Sequence, residues 1–381
     1  MKTTSGKKLT SRDRVKRVFN HQEADKVPVD FGGTVVTCLD IEAHKKLKKY
    51  LNIFDDNDTI IDYTMGTVEP CDQLKNLFES DFRRISLNVI PPDIINNTYY
   101  DGFGMKLKKA VPHEYFDVIE NPLREAKIDD LERMQLPDAN NPALYYGLKD
   151  KAKDLFENSK YAIVADFGVP GFYETSQKLR GYENLACDLL MNFDFLRFLF
   201  DRLLELQKTF FKNYIDQVGK YAQVICYADD LGMQDRPQMD TETYREVLKP
   251  YHSAIFKFIH ERTDAKIMLH CCGSIIPLID DLIETGVDIL NPVQTRAKDM
   301  DPALLKEKFG DRIIFWGAFD EQYTLPNGTK NEIYAETERL MKTLGKDGGY
   351  VFGPGHNIQS DTPAENIVAM FEAAKKYRIY Q

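Results

Sequence analysis

This chain of 381 residues has one tryptophan, six cysteines and seven histidines, and it carries no excess of positive charge. It contains no run of 18 apolar residues, so no membrane-spanning helix is expected. The cysteines are scattered, apart from the adjacent pair Cys271-Cys272, and make no disulfide framework. A reduced, cytoplasmic protein is the expectation. A net charge of −10 argues against nucleic acid or an anionic membrane surface as the main partner. The opening stretch MKTTSGKKLTSRDRVKRVF is basic but lacks an apolar segment, so no secretory signal is expected.

What the chain does have is apolar material for a large core, at 43% hydrophobic and 12% aromatic residues. Short β-branched segments alternate with longer amphipathic ones. The strand candidates are VPVDF (27–31), FRRISLN (82–88), YAIVADF (161–167) and AQVICYA (222–228), then AKIMLHC (265–271), VDILN (287–291), RIIFWGA (312–318) and YVFGPG (350–355). Between them, stretches such as TETYREVLKPYHSAIFKFIHER repeat apolar residues at helical spacing. Near-continuous apolar strands alternating with helices imply a parallel sheet covered by helices, and eight such units predict a closed (β/α)8 TIM barrel in the α/β class. An open doubly wound sheet is the alternative. The whole chain, 1–381, reads as one barrel domain. Residues of about 90–150 form an insertion between the second and third strands, with a hairpin turn near Asp101–Gly104.

Barrels of this kind place their chemistry at the C-terminal ends of the strands. Polar and glycine residues stand there in nearly every unit: Phe31-Gly32-Gly33-Thr34, Asp166-Phe167-Gly168, Asp229-Asp230, His270-Cys271-Cys272-Gly273, Asn291-Pro292-Val293-Gln294 and Gly355-His356-Asn357. Core packing does not require this clustering; an active site does. Asp229 and Asp230 are candidates for a base, a substrate anchor or a partner of another site residue. Asn291 and Gln294 are candidates for hydrogen bonding to substrate or to a histidine, and Phe31 and Phe167 for apolar contact with substrate, although core packing explains such aromatics equally well. Glu174 stands at a helix start, the commonest place for such a carboxylate, and is also a candidate acid or metal ligand. His252 and His260 lie on a helix and read as packing or surface residues, while His113 sits in the insertion. Cys38, Cys71, Cys187 and Cys226 read as small buried hydrophobes.

Taken together, SRDRVKRVFNHQEADKVPVDF, DDLGMQDRPQMDTETYREVLKPYH, LHCCGSIIPLIDDLIETGVDILNPVQ and FGPGHNIQSDTPAENIVAMFEAA give the chain its resemblance. It resembles the uroporphyrinogen decarboxylase superfamily, and within it the corrinoid-linked methyltransferase branch. The resemblance implies a barrel with its site in the C-terminal mouth. It departs from the decarboxylases in one place. Their first strand is followed by an Arg-Gln-Ala-Gly-Arg segment whose arginines bind substrate carboxylates, whereas PVDFGGTVVTCLD here contains no arginine. A polycarboxylate substrate would lack its guanidinium partners.

In the methyltransferase branch the pattern His-x-Cys-Gly and a later cysteine hold zinc. The resemblance therefore assigns zinc to His270 and Cys272, with His356 standing where the family has the later cysteine. Cys271 points to the opposite face if strand alternation continues. A His-Cys-His set leaves a more electrophilic zinc than a two-thiolate set, which suits polarisation of an ether oxygen. The implied reaction is methyl transfer from a small methoxylated donor, an aromatic one by choice, to a corrinoid (cobalamin) on a partner protein. The alternatives are transfer from a methylated corrinoid to a thiol or folate, and a decarboxylase-type lyase.

Overall fold

The computed structural model describes residues 9–55, 58–110, 115–166 and 171–380. Seven of the eight apolar segments form one continuous parallel sheet in chain order. They are Phe82–Ser86, Ala162–Asp166, Val224–Ala228, Lys266–His270, Ile289–Asn291, Ile314–Phe319 and Tyr350–Pro354. Residues 27–31 close the ring. On one side, Val29 bridges Phe352 in parallel, and Asp30 N–H donates to the Phe352 carbonyl at 2.8 Å. On the other, Asp81 N–H donates to the Val29 carbonyl at 2.8 Å. Pro28 has no N–H to give, which keeps this closing ladder short. The fold is a (β/α)8 barrel with an insertion between its second and third strands.

Strand alternation sorts the side chains into two layers. Phe82, Val164, Cys226, Met268, Trp316 and Val351 point inward and pack with Val15 and Phe19 of the helix Ser11–Phe19. The Phe82 and Trp316 ring centroids lie 4.4 Å apart, and Phe19 reaches Trp316 at 6.3 Å. The first helix therefore plugs the N-terminal end of the barrel, and only the C-terminal end is left to open onto a cavity. The outward layer, with Ile163, Ile225 and Leu269, packs beneath the covering helices, including the 26-residue helix Phe193–Val218.

The insertion differs from expectation in detail. The turn at Asp101–Gly104 is present, its Asp101 carboxylate accepting Phe103 and Met105 N–H groups at 3.0 and 2.8 Å. A third strand joins it, so Thr98–Tyr100, Lys106–Lys109 and Phe116–Glu120 make an antiparallel sheet rather than a single hairpin. A second small sheet of Leu39–Asp40, Thr67–Val68 and Ile60–Asp62 was not foreseen, because two or three residues are too short to show a period of two. Cys38 and Cys226 are buried as expected, but Cys187 is exposed and Cys71 half-buried. Among the described residues no helix is long and apolar enough to cross a membrane.

Barrel closure depends on Asp81, just ahead of the second strand. Its carboxylate accepts Val29 N–H at 2.9 Å, Ser11 Oγ at 2.6 Å, and the guanidinium groups of Arg14 and Arg378 at 2.5 Å each. Arg378 also donates to the Val27 carbonyl at 2.9 Å, so one carboxylate joins the first strand, the plug helix and the chain's last turn. Both Asp81 ion pairs are almost fully buried. Removing the carboxylate would leave two buried guanidinium groups with only their partly exposed second partners, Asp25 for Arg14 and Glu79 for Arg378, at a cost of about 3–5 kcal/mol. Asp81→Ala should therefore lower stability by that order in urea unfolding, whereas Lys45→Ala on an exposed helix face should change it by less than about 0.5 kcal/mol.

Candidate metal centre

The fifth strand, Lys266–His270, carries Met268 inward to the barrel interior and His270 inward at its tip. Cys271 turns to the other face, fully buried, and its sulfur accepts Leu231 N–H at 3.2 Å. The chain then folds back through Cys272, whose N–H donates to Asp230 Oδ1 at 2.8 Å. This reversal needs glycine. Gly273 has φ +92°, and a Cβ there would stand 2.5 Å from the Gly232 carbonyl carbon. Gln294 fixes the next turn, its Oε1 accepting Gly273 N–H at 2.7 Å.

The orientation of the His270 ring follows from hydrogen-bond chemistry alone. Asn291 places one side-chain atom 3.2 Å from the Trp316 carbonyl, which can only accept, so that atom is the amide nitrogen. The other atom is then the oxygen, and it lies 2.6 Å from His270 Nδ1. His270 Nδ1 must carry the proton. In the neutral ring Nε2 then presents a lone pair, 3.3 Å from Cys272 Sγ. His356, two residues beyond the eighth strand Tyr350–Pro354, brings its ring centroid to 5.4 Å from that of His270. One donor atom from each of His270, Cys272 and His356 falls within 4.8 Å of the others.

This donor set fits zinc. Bonds of about 2.0–2.3 Å in a tetrahedron put neighbouring donors about 3.3–3.8 Å apart; His270 Nε2 and Cys272 Sγ stand at 3.3 Å, and the His356 donor lies within 4.8 Å of both. Burial, with help from His270, pushes His356 down to about 4, so its imidazole is neutral and able to ligate. Burial and the neighbouring Asp230 push the Cys272 thiol well up, so a bound cation would have to supply the charge that makes a thiolate stable here. Glu321, half-buried near the same loop, is raised to about 7 by burial and receives a hydrogen bond from Gln294.

Against two of the three donors, His270 and His356, lies a cavity of about 990 Å³. His270, His356, Asp230, Asp166, Thr34 and Val35 line its floor and nearer wall, while Tyr99, Phe103, Met105 and Phe116 of the insertion roof the far part. Asp166 is held by Arg84 Nε at 2.7 Å and by Val35 N–H at 2.7 Å. Glu174 and Lys178 pair at 2.6 Å on the helix Phe172–Arg180 and also face the cavity.

The expected site residues divide accordingly. His270, Cys272 and His356 converge, and Asp230 stands beside them. Asp229 does not reach the cavity, contrary to its place among the catalytic candidates. Fully buried, it accepts Tyr173 and Glu174 N–H groups at 3.1 and 2.8 Å, capping the helix Phe172–Arg180, and meets His252 Nε2 at 3.0 Å. Phe31 is likewise no cavity wall. It packs outward between Phe78 and Phe371, with ring centroids at 5.1 and 4.9 Å. Asn291 and Gln294 serve the ligand loops rather than lining the cavity, and Phe167 and His113 lie outside the described residues. Lys178 and Glu321 were missed. The Glu174-x-x-x-Lys178 spacing was the available signal for the first, and the carboxylate pair after the seventh strand for the second.

The tautomer argument has a direct check. Nitrogen-15 shifts of the His270 ring near neutral pH should show Nδ1 as the protonated nitrogen, and Asn291→Leu should abolish that bias. A protonated Nε2 in the unmodified protein would contradict the hydrogen-bond chain.

The chain is 28% identical over 207 residues to the methylcobamide:CoM methyltransferase MtaA of Methanosarcina barkeri, covering 52% of this chain and 57% of that protein. The match thus spans a little over half the length of that relative. It is also 27% identical over 282 residues to the uroporphyrinogen decarboxylase of Coxiella burnetii, covering 69% of this chain and 70% of that enzyme. A methyltransferase from Methanosarcina mazei shares the fold, with a TM-score of 0.63 at 19% identity over 97% of this chain and 99% of the other. The sequence profile of the uroporphyrinogen decarboxylase (URO-D) family matches residues 89–377, and the chain belongs to that family.

Proposed function

We propose that this chain is a zinc-dependent methyltransferase that moves a methyl group from a methoxylated aromatic donor to the cobalt of a corrinoid held by a partner protein. The observation that carries the reading is the meeting of His270, Cys272 and His356, with both histidines lining a large cavity. The activity named for the Methanosarcina barkeri relative, which involves methylcobamide, supports methyl exchange with a corrinoid.

Bound zinc would act as a Lewis acid toward the ether oxygen, easing its departure. His270 Nε2, Cys272 Sγ and His356 would hold it. Two neutral imidazoles and one thiolate leave more positive charge at the centre than two thiolates would, and this favours an oxygen ligand. Asn291 keeps His270 in the ligating tautomer. Asp230 lines the cavity beside the donors, fixed through Cys272 N–H, and is placed to orient the substrate or manage the proton. The aromatic residues of the insertion exclude water from the far end. In the transfer, the C–O bond breaks with its electron pair staying on oxygen, which leaves as a phenol once protonated. The methyl carbon bonds to cobalt(I), which supplies the pair for the new bond. A corrinoid is too large to enter, so it would dock above the mouth.

A decarboxylase reading fits the cavity poorly. The lining carries seven carboxylates against three cationic side chains, of which Arg180 and Lys178 are already committed to Asp188 and Glu174, and the third, Arg124, is largely exposed. Methyl delivery from a methylated corrinoid to a thiol or folate remains the second reading, favoured by the name of the Methanosarcina barkeri relative.

An assay with a cobalt(I) corrinoid protein and a panel of methyl donors, followed by methylcobalamin absorbance, separates these. Methylcobalamin should form from a methoxylated aromatic and fall at least about 100-fold in His270→Ala, as loss of a catalytic metal requires. Methylation of a thiol or folate instead would reverse the half-reaction, and coproporphyrinogen formation from uroporphyrinogen would overturn both. In the same preparations, Cys272→Ser and His356→Ala should each retain less zinc than the unmodified protein.

A further inference from the structure

The cavity has a charge of its own. Asp62, Asp101 and Asp230 all line it, and each is satisfied by backbone N–H groups: Met65 N–H at 2.9 Å on Asp62, Phe103 and Met105 on Asp101, and Cys272 on Asp230. Among the described residues none of the three has an ion-pair partner. By contrast Asp166 is answered by Arg84, and Glu174 by Lys178. The half-buried Lys178 ammonium is set among Glu174, Asp62 and Asp230, all of which hold its proton on. Burial drives Asp62 and Asp101 upward from the ordinary carboxylate range, and Lys178 offsets this only in part.

The other walls of this compartment are apolar. Tyr99 and Phe116 meet edge to face with centroids 5.1 Å apart, and Phe103, Met105 and Leu107 complete the roof. Aromatic faces attract cations, and buried carboxylates do so more strongly once water is displaced. A carboxylated ligand would add a fourth uncompensated anion to the same space. A volume of about 990 Å³ leaves ample room for a ring plus a side arm reaching away from His270.

We propose that the cavity selects its methyl donor by charge, taking a donor whose end remote from the methyl group is a protonated amine and rejecting one bearing a carboxylate. This inference rests on the reading of the cavity as a methyl-donor site. Asp62, Asp101 and Asp230 are the residues that set the sign, and Lys178 limits it to the extent that Glu174 leaves it uncompensated. The insertion is what brings the specificity, since it supplies Asp101 and the aromatic roof while the barrel strands supply the ligands.

The test is equilibrium binding to the full-length protein, by calorimetry, of three matched methoxyphenyl compounds: a primary amine, an alcohol and a carboxylate. The amine should bind at least about tenfold more tightly than the carboxylate, with the alcohol between. Asp62→Asn and Glu174→Gln should each narrow that gap, and Lys178→Met should widen it. The Lys178 variant guards against misfolding as an explanation, because it moves the ratio in the opposite direction. Equal affinities, or tighter binding of the carboxylate, overturn the proposal. Methyl transfer to cobalt(I) is then followed for the same three compounds. If the binding order holds but no compound donates its methyl group, the O-demethylase reading fails while the charge selection stands.

Discussion

The hydrogen bond between His270 Nδ1 and Asn291 Oδ1 is the interaction on which the site depends. Without it the imidazole could turn its proton toward Cys272, and three soft donors would be an ordinary buried cluster. The bond is itself constrained, because the Trp316 carbonyl dictates which end of the Asn291 amide faces the histidine. The Trp316 side chain continues the chain downward, its Nε1 donating to Asp30 at 2.9 Å. Asp30 in turn accepts Gly33 N–H and Thr37 Oγ1 and so holds the loop that carries Thr34 and Val35 to the cavity wall. Burial raises Asp30 to about 6, yet three donors keep it placed. Strands one, five, six and seven are thus tied into a single polar thread through the barrel.

The same logic explains why the barrel tolerates so much polar material. Asp81 at one end and Asp30 in the interior each collect several donors, so neither is left unsatisfied out of water. Apolar packing of Phe82, Trp316 and Phe19 supplies the bulk of the cohesion, while these carboxylates fix which segments meet. Asp229 is a third instance. It ties the helix Phe172–Arg180 and His252 to the end of the fourth strand, and that helix carries Glu174 and Lys178 to the cavity.

Much of this was legible from the chain. The eight strands could be placed because each is a run of β-branched and aromatic residues bounded by turn formers, and strand alternation correctly sent His270 and Cys271 to opposite faces. The ligand trio was legible only through resemblance, since His356 lies 86 positions from His270 and nothing local announces it. The roles of Asp229 and Asp230 were not separable. Adjacent residues at a strand end point in opposite directions, and a one-residue uncertainty in where the strand stops exchanges mouth and core. Phe31 was misjudged for the same reason. The third strand of the insertion escaped notice because its polar, lysine-rich partner Lys106–Lys109 shows no apolar period.

The central claim is that His270, Cys272 and His356 form a mixed nitrogen–sulfur zinc centre. X-ray absorption at the zinc edge, on protein purified without chelators, tests it most directly. The account expects stoichiometric zinc with one sulfur at about 2.3 Å and nitrogen or oxygen neighbours at about 2.0–2.1 Å. Protein that arrives without zinc and does not take it up, or a zinc shell containing no sulfur, would contradict it.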